Sequence, residues 1–165
     1  RLRKIPFDRA IASPLLRTQA TAAHVCPKVE SELRLLETDH GEWEGKNKNE
    51  IESIWPETYA RWLNNPRDVT FPGGESFLET QSRVLDWWEE VTNDPCNLLV
   101  VAHDNILRII IANVLKMDLD DIWQFRLQSA AITTIEIKNG KPKMICLNDI
   151  GHLTDLQADL FLHAL

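Results

Sequence analysis

The chain has 165 residues, 44% of them apolar and 26% charged, with a net charge of −7. That is the make-up of an ordinary globular domain, long enough to bury one sizeable core. The acidic balance argues against nucleic acid or an anionic membrane as partner, while leaving room for a local pocket that takes a small anion.

Cys26, Cys96 and Cys146 are too dispersed for a disulfide framework or a zinc site. They fit a reducing, cytoplasmic setting, with no metal and no cofactor expected. The apolar stretches at 97–102 and 106–115 are too short to span a bilayer. The chain opens on basic residues without a start methionine or signal-peptide pattern, so an N-terminally truncated domain is expected.

In chain order, residues 7–12 (FDRAIA) read as a strand. Ser13 and Pro14 supply a helix start, as N-cap and first helical residue, for a helix reaching about Val25. Residues 31–49 show no single period and read as loop. Residues 49–63 suggest one or two short helices interrupted at Pro56, and residues 64–74, with NNP and PGG, a loop. From 75 to 91 the spacing of Phe77, Val84, Trp88 and Val91 predicts an amphipathic helix.

Residues 98–102 form a continuous apolar run suited to a buried strand. Residues 105–116 give a nearly all-apolar helix packed on most sides. A hairpin follows, 131–137 and 143–147, turning at Asn139-Gly140. The tail at 154–165 has helical apolar spacing, and an exposed apolar face there would suggest a homodimer. One α/β domain over 1–165, with helices on both faces of a sheet, accounts for this order.

Three junctions can carry chemistry. In LLVVAHDNILR a buried strand ends at His103 and a helix begins at once, with Asp104 or Asn105 free to cap it. Ligands bind at such strand ends, where helix N-termini present free N–H groups. His103 there can hold a phosphoryl oxygen or move a proton; equally, it can be a polar strand-end residue bonded to nearby backbone. In IASPLLRTQATAA, Arg17 sits in the first helical turn against the macrodipole. That placement has a reason if an anion is held at the same end, because the guanidinium fork suits phosphate; the alternative is a solvated surface arginine.

In LLETDHGEWEG, Glu37, Asp39, Glu42 and Glu44 crowd one loop, any of them a candidate general acid, and spacing does not choose among them. The alternative is a solvated acidic loop anchored by Trp43. His24, His40 and His163 read as structural. The turn PGGES, with Glu75 and Ser76, could be no more than a helix start, and neither a P-loop nor G-x-S-x-G is present.

The ordered series SPLLRTQATA, LLETDHGEWEG, PGGES, LVVAHDNILR and LNDIGHL resembles the histidine-phosphatase superfamily, in the branch of cofactor-independent small-molecule phosphatases and phosphoglycerate mutases. The resemblance spans about residues 7–153. It implies a three-layer α/β/α sandwich of phosphoglycerate-mutase type. It makes Arg17 a phosphate-binding arginine, Glu37 the acid that protonates the leaving group, and His103 the second catalytic histidine, aided by the backbone N–H of Asp104. Ser13 would line or brace the pocket, with Glu75 and Ser76 in support.

Two departures accompany it. The family's first strand ends in Arg-His-Gly, whose histidine is phosphorylated during turnover; no such segment occurs here, and none of the five histidines precedes the first matched motif. The chain is therefore expected to lack the first strand and to be inactive alone. Asp104 stands where many members have glycine, and its carboxylate is expected to turn away and cap the helix.

The expected activity of the complete protein is metal-free hydrolysis of small phosphomonoesters through a phosphohistidine. GEWEG and LNDIGHL resemble the broad-specificity and α-ribazole-phosphate types. The short span from Glu37 to Glu75 favours a phosphatase over a mutase that returns the phosphoryl group. The rival from another class is a non-catalytic module that holds an anion without turning it over.

Overall fold

The computed structural model describes residues 1–153; the predicted tail helix at 154–165 lies outside them. A parallel sheet forms the centre, built from β1 (Arg9–Ala12), β2 (Glu30–Ser31) and β3 (Leu98–Val101) in the order β2-β1-β3. β1 pairs with β3 in register from Arg9–Leu98 to Ala12–Val101. Ala10, Ile11 and Ala12 are all buried. Because successive strand side chains point to opposite faces, both faces of β1 are covered.

Helix α1 (Leu16–Ala23) packs on β1 and β3. Ile11 belongs to the main core with Trp87, Val84, Ile106 and Ile109, which come from α4 (Phe77–Val91) and α5 (Asp104–Leu115). The expected α/β architecture is therefore present.

The strand before α1 is shorter than predicted, and Ser13 is not the helix cap. Leu15, extended at φ −66° and ψ 139°, occupies that position without a side-chain bond, because the Ser13 hydroxyl is engaged elsewhere. β2 falls where no strand was expected. Two exposed polar residues carry no period, and only pairing with Ile11 and Ala12 makes them a strand. The remainder of the predicted loop up to Trp43 consists of extended segments and 3₁₀ turns.

The break at Pro56 separates α2 (Lys48–Ile54) from α3 (Pro56–Asn64). Asn47 and Glu50 form a capping box at α2, and Ser76 and Glu79 form another at α4. In α4 it is Trp87 that is fully buried, whereas Trp88 only lines the core. α5 buries all but one turn's worth of its side chains, as its apolar composition predicts.

The hairpin is β4 (Ile132–Lys138) and β5 (Lys141–Asp149). Asn139 and Gly140 turn it with φ of 53° and 69°, the left-handed pair a two-residue hairpin needs. It forms its own two-stranded sheet, so β3 is an edge strand among the described residues. No helix among those residues is long and apolar enough to cross a membrane.

Candidate active site

β3 delivers His103 to the carboxyl end of the sheet, beside the end of β1 that carries Ser13. Both side chains are buried. An Arg17 Nη2–H points at His103 Nδ1 at 3.0 Å. A guanidinium can only donate, so Nδ1 accepts and the ring proton sits on Nε2. That N–H then donates to the Ser13 hydroxyl at 2.8 Å. This bond, not a helix cap, is what Ser13 is committed to. Burial, then the charges of Arg17 and Arg83, hold His103 down at about 4, so the ring is neutral at physiological pH.

Glu37 sits beside this relay. Its carboxyl accepts the N–H of Thr38 at 2.9 Å, and the backbone N–H of Asn105, in the first turn of α5, favours its charged form. Burial pushes its pKa up to about 7, and the charge of Asp104 adds to the rise, while those two N–H groups and Arg17 pull the other way. A carboxyl half-protonated near neutrality is suited to give a proton to a leaving oxygen. Of the four loop carboxylates, Asp39, Glu42 and Glu44 are exposed, and Glu37 is the one drawn in from solvent.

Asp104 turns aside as expected but does not cap α5. The cap position belongs to His103, which makes no side-chain cap bond, and Asp104 is the first helical residue. Its carboxylate takes the Arg108 Nε–H at 2.8 Å. Arg108 is buried, donates to the carbonyls of Ile122 and Phe125, and lies against the rings of Trp123 and Phe125. A cation in an otherwise apolar helix needed such a partner, and pairing one turn away outweighs a cap.

Behind the acid loop, Glu75 accepts the Asp39 N–H at 2.9 Å and binds Arg83 with both oxygens. Ser76 caps α4 and does not enter the site. Arg83 was not singled out from sequence. The available signal was its place on the buried stripe of α4 between Thr80 and Trp87. Gly74 and Gly41 allow the two loops to touch: a Cβ on Gly74 would lie 2.2 Å from the Asp39 carbonyl oxygen, and one on Gly41 2.2 Å from that of Pro72.

Of the other histidines, His40 is buried against Phe71 and accepts from Asn105 Nδ2 at 3.1 Å. His24 bonds the Ala20 carbonyl on the surface. His163 lies outside the described residues. Arg17, Ser13, Glu37, His103 and Asp104 are thus brought together, with Glu75 one layer behind.

The family model of the histidine phosphatase superfamily (branch 1) matches residues 1–150. Phosphoserine phosphatase 1 of Hydrogenobacter thermophilus is 32% identical over 159 residues, covering 93% of this chain and 75% of that protein. The adenosylcobalamin/alpha-ribazole phosphatase of Salmonella typhimurium is 29% identical over 159 residues, covering 89% and 76%. The crystal structure of the alpha-ribazole phosphatase from Shigella flexneri superposes with a TM-score of 0.79 at 26% identity, covering 90% of this chain and 76% of that one. A match running from the first residue to the end of the hairpin, on a fold shared with those enzymes, leaves one assignment: the chain belongs to branch 1 of the histidine phosphatase superfamily.

Proposed function

We propose that the complete protein hydrolyses small-molecule phosphomonoesters through a phosphohistidine, without a metal, and that this chain supplies the phosphate cradle and the acid. The observation that carries the reading is the Arg17–His103–Ser13 relay beside a Glu37 carboxyl held near 7. Arg17 and the N–H groups opening α5 receive the phosphoryl oxygens, and the His103 Nε2–H joins them by leaving the Ser13 hydroxyl. A histidine nitrogen attacks phosphorus, the ester P–O bond breaks, and Glu37 gives its proton to the departing alkoxide. Water then attacks the phosphohistidine and yields its proton to the Glu37 carboxylate, and the P–N bond breaks to release inorganic phosphate.

The attacking histidine is assigned to a segment preceding Arg1. Among the described residues, His24, His40 and His152 are each bonded away from the relay. The edge of β3, unpaired among the described residues, would accept a further strand whose end lies level with His103. The relatives named above extend beyond the matched region, and they are phosphatases by name. The short segment between Glu37 and Glu75, filled by α2 and α3, leaves hydrolysis favoured over return of the phosphoryl group. Three free thiols fit a cytoplasmic setting.

The test is rapid quenching of a version extended upstream to the natural start, mixed with an aryl phosphate labelled in the phosphoryl group, in the presence of a chelator. The expected result is a phosphoprotein stable to alkali and labile to acid that turns over to inorganic phosphate. Turnover that requires added metal, or that leaves no such adduct at any time, would contradict the proposal.

A further inference from the structure

We infer that Arg83, 46 residues beyond Glu37 and on α4, is the positioning residue that sets the aim of the Glu37 acid; this rests on the function proposed above. All five guanidinium donors of Arg83 are used. Nη1 donates to the carbonyls of Arg34 at 2.7 Å and Leu36 at 2.8 Å. Nη2 donates to the carbonyl of Glu37 itself at 3.3 Å and to Glu75 Oε1 at 2.7 Å, and Nε to Glu75 Oε2 at 3.2 Å.

Glu75 Oε1 also accepts the Asp39 N–H, and the Glu75 N–H donates to the Asp39 carbonyl. The backbone is therefore gripped on both sides of Glu37: at 34, 36 and 37 by one rigid fork, and at 39 by that fork's counter-ion. The grip comes from α4, whereas the groups Glu37 serves stand on α1, with Arg17, and at the start of α5, with His103. Arg83 thus fixes the acid relative to the cradle, and the layer that carries it touches none of the reacting atoms.

A lysine keeps the charge but has three donors and no planar fork, so it cannot hold three carbonyls and a bidentate carboxylate together. An ångström of misplacement can cost about 100-fold in rate. That loss is visible only where a proton must be delivered. An alkyl phosphate needs its leaving oxygen protonated, while p-nitrophenolate departs without help.

The experiment compares kcat/KM, which reports formation of the phosphoenzyme, for glycerol phosphate and p-nitrophenyl phosphate in the upstream-extended protein. Arg83→Lys is measured alone and in a Glu37→Gln background, with thermal melts to verify folding. The expected result is a loss at least about 10-fold greater on glycerol phosphate than on p-nitrophenyl phosphate, and no selective loss once Glu37 is glutamine. An equal loss on both substrates, or a selective loss that persists without Glu37, overturns the inference and assigns Arg83 to structure alone. If Arg83→Lys melts too low to assay, Glu75→Gln, which removes the counter-ion and leaves the three carbonyl bonds, must give the same selectivity or the inference falls. A parent protein inactive on both substrates refutes the proposed function instead, and is recognisable because no variant is needed to see it.

Discussion

At the scale of single residues the site depends on three protonation states. His103 is neutral with its proton on Nε2, Arg17 is cationic, and Glu37 is poised near 7. Glu37 must be protonated to act as an acid, so kcat/KM on an alkyl phosphate should fall as pH rises through about 7, and fall much less on p-nitrophenyl phosphate. Asp104 contributes to that poise through its charge. Asp104→Asn should lower the Glu37 pKa and move the alkaline limb with it, as carboxyl NMR titration would show directly; an unmoved or raised value would contradict the role. Arg17, Glu37 and His103 were legible because each falls in a motif whose order is informative. Arg83 and Arg108 were not: each is an arginine on a helix with a carboxylate nearby, Glu75 or Asp104, and what sets it apart is a group of carbonyls 14 to 49 residues away.

At the scale of elements, the helices were legible through apolar spacing, the break at Pro56 and the PGGES turn, signals that act within a few residues of themselves. The capping boxes of Asn47 with Glu50 and Ser76 with Glu79 are equally local, and the structure adds them. Ser13 misled because the same chemistry that suits an N-cap also suits a histidine partner, and that partner lies 90 residues on. β2 was invisible for a related reason, since it exists only by pairing with β1.

The contact between the acid loop and the PGGES turn is where elements meet most closely. Gly74→Ala would drive a Cβ to 2.2 Å from the Asp39 carbonyl, and backbone at both sides leaves little to give. The expected cost is about 2–4 kcal/mol of unfolding free energy, read as a lower urea midpoint at unchanged slope. Ser76→Ala, which removes one cap bond, should cost only about 1 kcal/mol. Equal effects of the two would show that the loop contact is not tight.

At the scale of the whole molecule, opposing titrations shape stability. His40 and His103 sit near 4 when folded against 6.5 ordinarily, so between those values the unfolded chain binds more protons and stability rises with pH. Glu37, held near 7 against 4.5, works in the opposite sense over 4.5 to 7. Two groups outweigh one until the opposing proton counts balance near pH 7, beyond which both fade together. The melting temperature should therefore climb from pH 4.5 and level off near 7, whereas a profile that falls between pH 4.5 and 6.5 would contradict these assignments. The α/β layering was legible from alternating apolar runs and caps. That β3 ends the sheet among the described residues, with the hairpin separate, was not, because strand order is a matter of tertiary pairing.

Arg17 and His103 are proposed to form the phosphate cradle of a phosphatase. The most direct test is hydrolysis of p-nitrophenyl phosphate, with chelator present, by the upstream-extended protein and its Arg17→Ala and His103→Ala variants. The parent should be active, and each variant should lose at least about 100-fold. A folded, inactive parent, or variants as active as the parent, would contradict it.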